Sequence, residues 1–355
     1  MANSSMMKIS LKILVLPVLL QCSCTQHNIT TNTAHQEPDS KNIPFARKRT
    51  DTAQISDIVR RIFQDQSGKI WFGTNSDGLV YVYDAMPYGF STKEGLSGFQ
   101  VTRIMQDKSE RVWVATNGGI TVFAGSSFTN YTEKDGLPNK WVWYVFEDSK
   151  GVIWVSTISG LCCFKDGKFT PFALPLSDFK TARSALSPSL VWCITEDKKG
   201  RLWFGTDGNG VFIYDGSLWQ HLTTKNGLCD NSVTCILADK HENIWLSSMF
   251  GGISRYDGNV FTTYNSDNKL IGDNEVWTVY EDKKENIWFS SEGFGVYCYK
   301  NNTLTNFSNK EGLEISAVQT IYEDDKGNMW FGGGGGVYKY DGIKFRAIKA
   351  QGPWE

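Results

Sequence analysis

Few residues of this chain have types and spacings that could do chemistry. The pairs Glu147-Asp148, Glu196-Asp197, Glu281-Asp282 and Glu323-Asp324 have the composition of cation ligands or of a general acid with its base. They recur at one place in a repeating pattern, however, so a structural role in a turn is expected of them. Four His in 355 residues leave little for a His metal site or a His general base. The Gly run at 332–336 lacks the Lys-Ser/Thr of a phosphate loop. Two groups remain. Trp143, Trp192 and Trp277 offer flat apolar faces that can stack on a sugar ring. Asp207, Glu292 and Arg60 are the visible candidates for acid–base work. No catalytic set, cofactor site or metal site is expected.

The elements that position these residues follow from a repeat. Seven Trp each have an Asp six residues earlier, from Asp65/Trp71 to Asp324/Trp330. The Trp-to-Trp steps are 42, 41, 49, 42, 43 and 42 residues. Such a period fits propeller blades of four strands. In each unit a β-branched strand precedes the Asp turn, and a second strand carries the Trp. A Gly-rich loop leads to a third strand. Asp-Gly at 166, 215, 257 and 341 then reads as a type I′ hairpin turn, with Asn301-Asn302 serving the same purpose. A fourth, aromatic strand ends in a Gly-Leu corner, as at Gly95-Leu96, Gly136-Leu137, Gly227-Leu228 and Gly312-Leu313. The expected fold is all-β, a seven-bladed β-propeller with four antiparallel strands per blade, over residues 51–350. Both terminal units look complete; alternatively, Ile43 to Arg47 adds an outer strand to the last blade.

The stretch from Glu196-Asp197 through Trp203, Gly205 and Thr206 to Tyr214-Asp215-Gly216 and Gly227-Leu228 resembles the two-component regulator propeller repeat. The resemblance covers about residues 50–348. It implies the periplasmic ligand-sensing part of a hybrid two-component sensor, and recognition of a carbohydrate or similar small ligand. It carries over no signalling chemistry, because the sequence shows neither a kinase phosphoacceptor motif nor a membrane helix.

Two slots of the repeat are candidates for a ligand site. Five residues before the turn Asp stand Arg60, Thr102, Trp143, Trp192, Thr234, Trp277 and Gln319. This ring lies on the innermost strand and can face the channel mouth; the competing reading packs the Trp between blades. Four residues after the marker Trp stand Asn75, Asn117, Ile158, Asp207, Met249, Glu292 and Gly334. Their variety suits either a recognition loop or ordinary exposed loops. The expected ligand-binding residues are therefore Arg60, Asn75, Asn117, Trp143, Trp192, Asp207, Trp277, Glu292 and Gln319. The long 49-residue step places extra chain around Pro171 to Pro188, as a lid or as a tolerated insertion. Among the later Cys, mostly free thiols are expected, with one disulfide conceivable between Cys193 and Cys235.

The N-terminal residues read as an export signal (1–24) and a flexible tether (25–50). Lys8 and Lys12 precede an apolar run from Ile13 to Leu20, and Cys22 or Cys24 stands where a lipoprotein signal is cleaved and lipidated. A net charge of −2 argues against nucleic acid as a partner. The expectation is an exported, non-catalytic propeller in the periplasm or cell envelope that binds a small-molecule or oligosaccharide ligand. The alternatives are a propeller lyase or glycan-active enzyme, and a scaffold for a membrane protein partner.

Overall fold

The computed structural model describes residues 46–48, 54–175, 186–187, 189–315, 317–350, 352 and 354. The expected signal, both lipidation cysteines and most of the tether lie outside the described residues, as does the middle of the 171–188 stretch. The described chain forms seven antiparallel sheets, each with four strands in chain order from the innermost outwards; in the first, the short strand Arg47–Lys48 adds a fifth at the outer edge. The inner strands are Val59–Gln64, Val101–Gln106, Val142–Glu147, Val191–Glu196, Val233–Ala238, Val279–Glu281 and Val318–Glu323. Seven blades of four strands were legible from the Trp spacing, and they are present.

The marker Trp explains why the blades stack. Both faces of a blade are apolar, so each must be covered by a neighbour. Trp71, Trp113, Trp203 and Trp330 are at most 2% exposed. Each marker ring meets an aromatic ring of the following blade: Trp71 with Phe123 at 5.8 Å, Trp113 with Phe164 at 5.3 Å, Trp154 with Phe204 at 5.6 Å. The series closes when Trp330 of blade 7 meets Phe72 of blade 1 at 6.3 Å. Burying about 150–250 Å² per Trp is worth roughly 4–6 kcal/mol before entropy is charged against it.

The Asp six residues earlier does two jobs. Oδ1 of Asp65 accepts the N–H of Ser67 at 2.9 Å and of Lys69 at 3.1 Å, which shapes the turn. Oδ2 accepts the Trp71 indole N–H at 2.8 Å. The indole bond recurs in all seven blades at 2.7–2.9 Å. The residue just before that Asp joins neighbouring blades. The side chains of Gln106, Glu147, Glu196, Glu281, Glu323 and Gln64 each accept a backbone N–H from the preceding blade's turn, at 2.5–3.1 Å. The acidic pairs are thus structural. The bond from Asp325 N–H to Gln64 is the one that closes the ring. The seventh position is Ala238, which has nothing to accept with.

Two local readings are corrected by the structure. Residues Arg47–Lys48 pair with the outer strand of the first blade (Arg47 with Gly89, Lys48 with Tyr88), not with the last. Blade 7 has its own four strands, and the earlier chain adds to it only an isolated bridge among the described residues, Gln54 with Lys349. The type I′ assignment holds at Asp166-Gly167, where both residues have positive φ, and at Asn301-Asn302. It fails at 215, 257 and 341, where only the Gly is left-handed. There the Asp side chain accepts two backbone N–H groups, as Asp215 Oδ1 does from Ser217 at 2.9 Å and Leu218 at 2.8 Å. The strands end one residue before each Asp, at Tyr214, Tyr256 and Tyr340, so the Asp opens the turn and the left-handed Gly takes the first central position, as a type II′ turn asks.

The Gly-Leu corners form as expected. Gly136 and Gly227 end short 3₁₀ turns in the left-handed region, with φ of 102° and 103°. The Leu that follows is buried in each case. The six described cysteines are free thiols.

Candidate functional site

A bulge in the inner strand builds the channel mouth. In six blades the register against the second strand slips by one residue, between Val59 and Arg61 in blade 1 and between Val142 and Tyr144 in blade 3. The skipped residues are Arg60, Thr102, Trp143, Trp192, Thr234 and Gln319. A bulge re-aims the side chain it carries. In blade 6 the strand begins later, at Val279, and Trp277 is held by its N–H to Ser290 Oγ at 3.0 Å. All seven of these residues, with Arg61, line one cavity of about 30 Å³ on the ring axis.

The indoles meet there. Trp143 packs edge-on to Trp192 at 4.9 Å, and Trp192 reaches Trp277 at 6.1 Å. Trp141 extends the chain, 6.4 Å from Trp143. Its slot did not mark it in the repeat, and only its being a Trp beside Trp143 could have drawn notice. Trp192 is 5% exposed, while Trp143 and Trp277 are half-buried. The indole Nε1 atoms of Trp141 and Trp192 have no hydrogen-bond partner.

The second ring is tied down by its backbone. The N–H groups of Asn75, Asn117, Ile158, Asp207, Met249, Glu292 and Gly334 each donate to a carbonyl at the head of the inner strand, at 3.0–3.2 Å. The side chains then differ in fate. Asn75 Oδ1 accepts Arg60 Nε at 2.8 Å, and the Gln100 carboxamide lies 2.9 Å from the same oxygen. Asn117 Oδ1 accepts the backbone N–H groups of Phe99 and Gln100, at 3.1 and 3.2 Å, and so ties its loop to the segment that leads into the inner strand. Asp207 is fully buried and forms a bridge with Ser232. Gln319 gives its carbonyl to Arg61 Nη1 at 3.1 Å.

Charge divides the mouth. On the blade 6 side, burial and then Asp273 raise the Glu275 carboxyl above its usual range. Glu292 is raised likewise by burial and then by Glu275, and the Trp277 indole offsets part of both shifts. On the blade 1 side, burial lowers Arg60. The structure thus brings Arg60 to Asn75, and Trp143 to Trp192 and Trp277, and sets Glu292 beside Trp277. Asn117 ties its loop to the Phe99–Gln100 segment, and Asp207 is buried against Ser232 of the next blade. Among the described residues no His, Cys, Asp and Glu group has a metal-holding arrangement.

The architecture is that of a closed seven-bladed propeller with aromatic and charged side chains converging on its axis. Six segments, 54–76, 136–159, 185–208, 227–250, 270–293 and 312–335, match the two component regulator propeller repeat. The chain is a propeller of that repeat family; blade 2 keeps the geometry although its sequence falls outside those segments. No curated protein matches the sequence. Among solved structures, the extracellular domain of a putative hybrid two component system from B. thetaiotaomicron is 22% identical, with a TM-score of 0.56. That match covers 82% of this chain and 46% of the other, so this chain spans under half of that domain. A catalytically inactive virginiamycin B lyase from Staphylococcus aureus is 16% identical with a TM-score of 0.63, covering 83% and 97% of the two chains. PorZ, a surface component of the type-IX secretion system of Porphyromonas gingivalis, is 14% identical with a TM-score of 0.62, covering 82% and 47%. At these identities the likeness is one of fold. Among the described residues no helix is long and apolar enough to cross a membrane.

Proposed function

We propose that this chain is an exported, ligand-binding propeller that recognises an oligosaccharide or similar small ligand at its channel mouth. The observation that carries the reading is the convergence on one cavity of seven residues, three of them Trp; six stand on inner-strand bulges and Trp277 stands just before its strand. Half-buried Trp143 and Trp277 offer apolar area for a sugar face, and Arg60, Asn75 and Glu292 stand beside them to orient hydroxyls. The export signal, with Cys22 or Cys24 as a lipid attachment point, would place this surface in the periplasm or cell envelope. Calorimetric titration with a panel of oligosaccharides tests the site. At least one sugar is expected to bind wild type and to bind the Trp143→Ala/Trp192→Ala/Trp277→Ala variant at least tenfold more weakly, with the fold checked by circular dichroism. Equal binding by a folded triple variant would refute the site.

Catalysis is less favoured by the geometry. The Asp207 carboxyl is buried, and Arg60 is bound to Asn75. His221, on an outer strand, donates its Nε2–H to the Asn209 carbonyl at 2.7 Å, and His241 lies in a turn on the opposite face.

A protein partner is the second reading, favoured by exposed apolar side chains on the loop face. Phe99 is 54% exposed, Phe294 48% and Leu270 45%. A membrane protein partner docking there would be captured by wild type and lost with Phe99→Ser/Phe294→Ser; capture that survives both changes would exclude this face.

A further inference from the structure

Below the indoles, the channel holds positive charge without a counter-charge. Arg61 and Arg103 follow the bulge in blades 1 and 2. Arg61 Nη1 donates to the carbonyls of Arg60 at 2.8 Å and Gln319 at 3.1 Å, which fixes the guanidinium in place. The Arg103 guanidinium lies 4.4 Å over the Tyr144 ring. In both residues Nε is shut off from solvent and has no hydrogen-bond partner.

The groups that face these two arginines are Arg60, Tyr144, Cys193 and Cys235. Neither Tyr144 nor Cys193 supplies a negative charge near neutral pH. Burial pushes the Tyr144 hydroxyl up to about 12, and pushes the Cys193 thiol well up. Burial, followed by the charge of Arg103, lowers Arg61 to about 10, which still leaves it charged at neutral pH. Among the described residues no carboxylate forms an ion pair with Arg60, Arg61 or Arg103. Both arginines are part-buried with their Nε atoms shut off from solvent, and charges withdrawn from water in this way are ordinarily paired, because removal from water is costly. Arg61 also lines the axial cavity of about 30 Å³, which has room for roughly two water-sized groups.

We propose that the channel binds a small oxyanion, held by the guanidinium groups of Arg61 and Arg103. Planar guanidinium forks match carboxylate, sulfate and phosphate oxygens. Two sources share this chemistry: a free inorganic anion, and the acid group of a sugar acid whose ring lies against Trp143 and Trp277. The site follows from the channel's charges and does not depend on sugar recognition.

Calorimetry with inorganic phosphate and with glucuronate, in a buffer whose own anion is bulky, tests the proposal. Wild type is expected to bind one equivalent of at least one of them. Arg61→Met/Arg103→Met is expected to bind at least tenfold more weakly, and the exposed control Arg346→Met to bind as wild type. The anion should raise the wild-type Tm and leave that of the double variant unmoved. Tighter phosphate binding assigns the site to inorganic anions; tighter glucuronate binding that also weakens in Trp143→Ala assigns it to a sugar acid. Independently of any variant, a bromide soak of wild-type crystals should give an anomalous peak between the two guanidiniums. Absence of that peak with no binding of either anion, or equal binding by the double variant, overturns the site. A neutral oligosaccharide that still needs the three Trp would leave the sugar reading standing in that event.

Discussion

The turn Asp is the most heavily used residue of each blade. One oxygen shapes the turn and the other holds the indole, so the turn and the blade interface depend on a single carboxylate. Asp197 shows the electrostatics. Burial pushes its carboxyl up, but the Trp203 indole, the Arg201 N–H and the Arg201 guanidinium outweigh this and hold it below its usual range. A carboxyl with a lower value in the folded than in the unfolded state contributes stability above the ordinary carboxylate range. That contribution is lost as the pH falls through the folded value. Trp203→Phe keeps the aromatic face and leaves Asp197 Oδ2 one donor short. It should cost about 1–3 kcal/mol in urea unfolding at pH 7. The difference from wild type should shrink as the pH falls and Asp197 protonates, and the Asp197 pKa, followed by NMR, should rise. A difference that stays constant down to acid pH would mean that only lost packing is being measured.

At the scale of strands and turns, what was legible is what repeats. The Asp-to-Trp spacing showed seven blades because one carboxylate must reach one indole in every copy. The slot five residues before that Asp was legible for the same reason, and all seven of its residues line the axial cavity. The bulge that aims six of them was not legible, since an extra residue in a strand leaves no mark on a spacing the blades share. The next slot (Arg61, Arg103, Tyr144, Cys193, Cys235) was also missed as a set. Its signal lay on the partner strand, where those residues pair with Gly73, Ala115, Ser156, Gly205 and Ser247. The inner strands crowd there: a Cβ on Gly205 would stand 2.6 Å from Cys193 Sγ and 2.9 Å from Val233 Cγ1. The hairpins at 215, 257 and 341 went wrong because Asp-Gly admits two turns, and the side-chain acceptor of the Asp decides between them. Asp207 reads as a loop acid, yet its burial depends on contacts with the next blade that no local pattern announces.

At the scale of the ring, seven equivalent interfaces should carry seven equivalent latches, and one is absent. Six acceptors on the turn face join each blade to its predecessor, including Gln64, which makes the closing contact. Between blades 4 and 5 the acceptor is replaced by Ala238, and a groove of about 70 Å³ opens there, lined by Lys198, Arg201, Ala238, Asp239 and Tyr256. The Lys198 ammonium donates to the Lys240 carbonyl across the gap. It spans the seam as a flexible, exposed side chain, where the other interfaces use a short acceptor on a rigid strand end. A ring opens at its weakest joint, so this interface should set the stability of the whole. Ala238→Glu places a carboxylate where Glu196 and Glu281 stand in their own blades, within reach of the Lys198 backbone N–H. A gain of about 0.5–1.5 kcal/mol in denaturant unfolding is expected, the net worth of one such bond. Ala238→Leu fills the groove without an acceptor and should recover only the packing share. If Ala238→Glu were no more stable than Ala238→Leu, the latches would be bystanders and the ring would be held by its indoles alone.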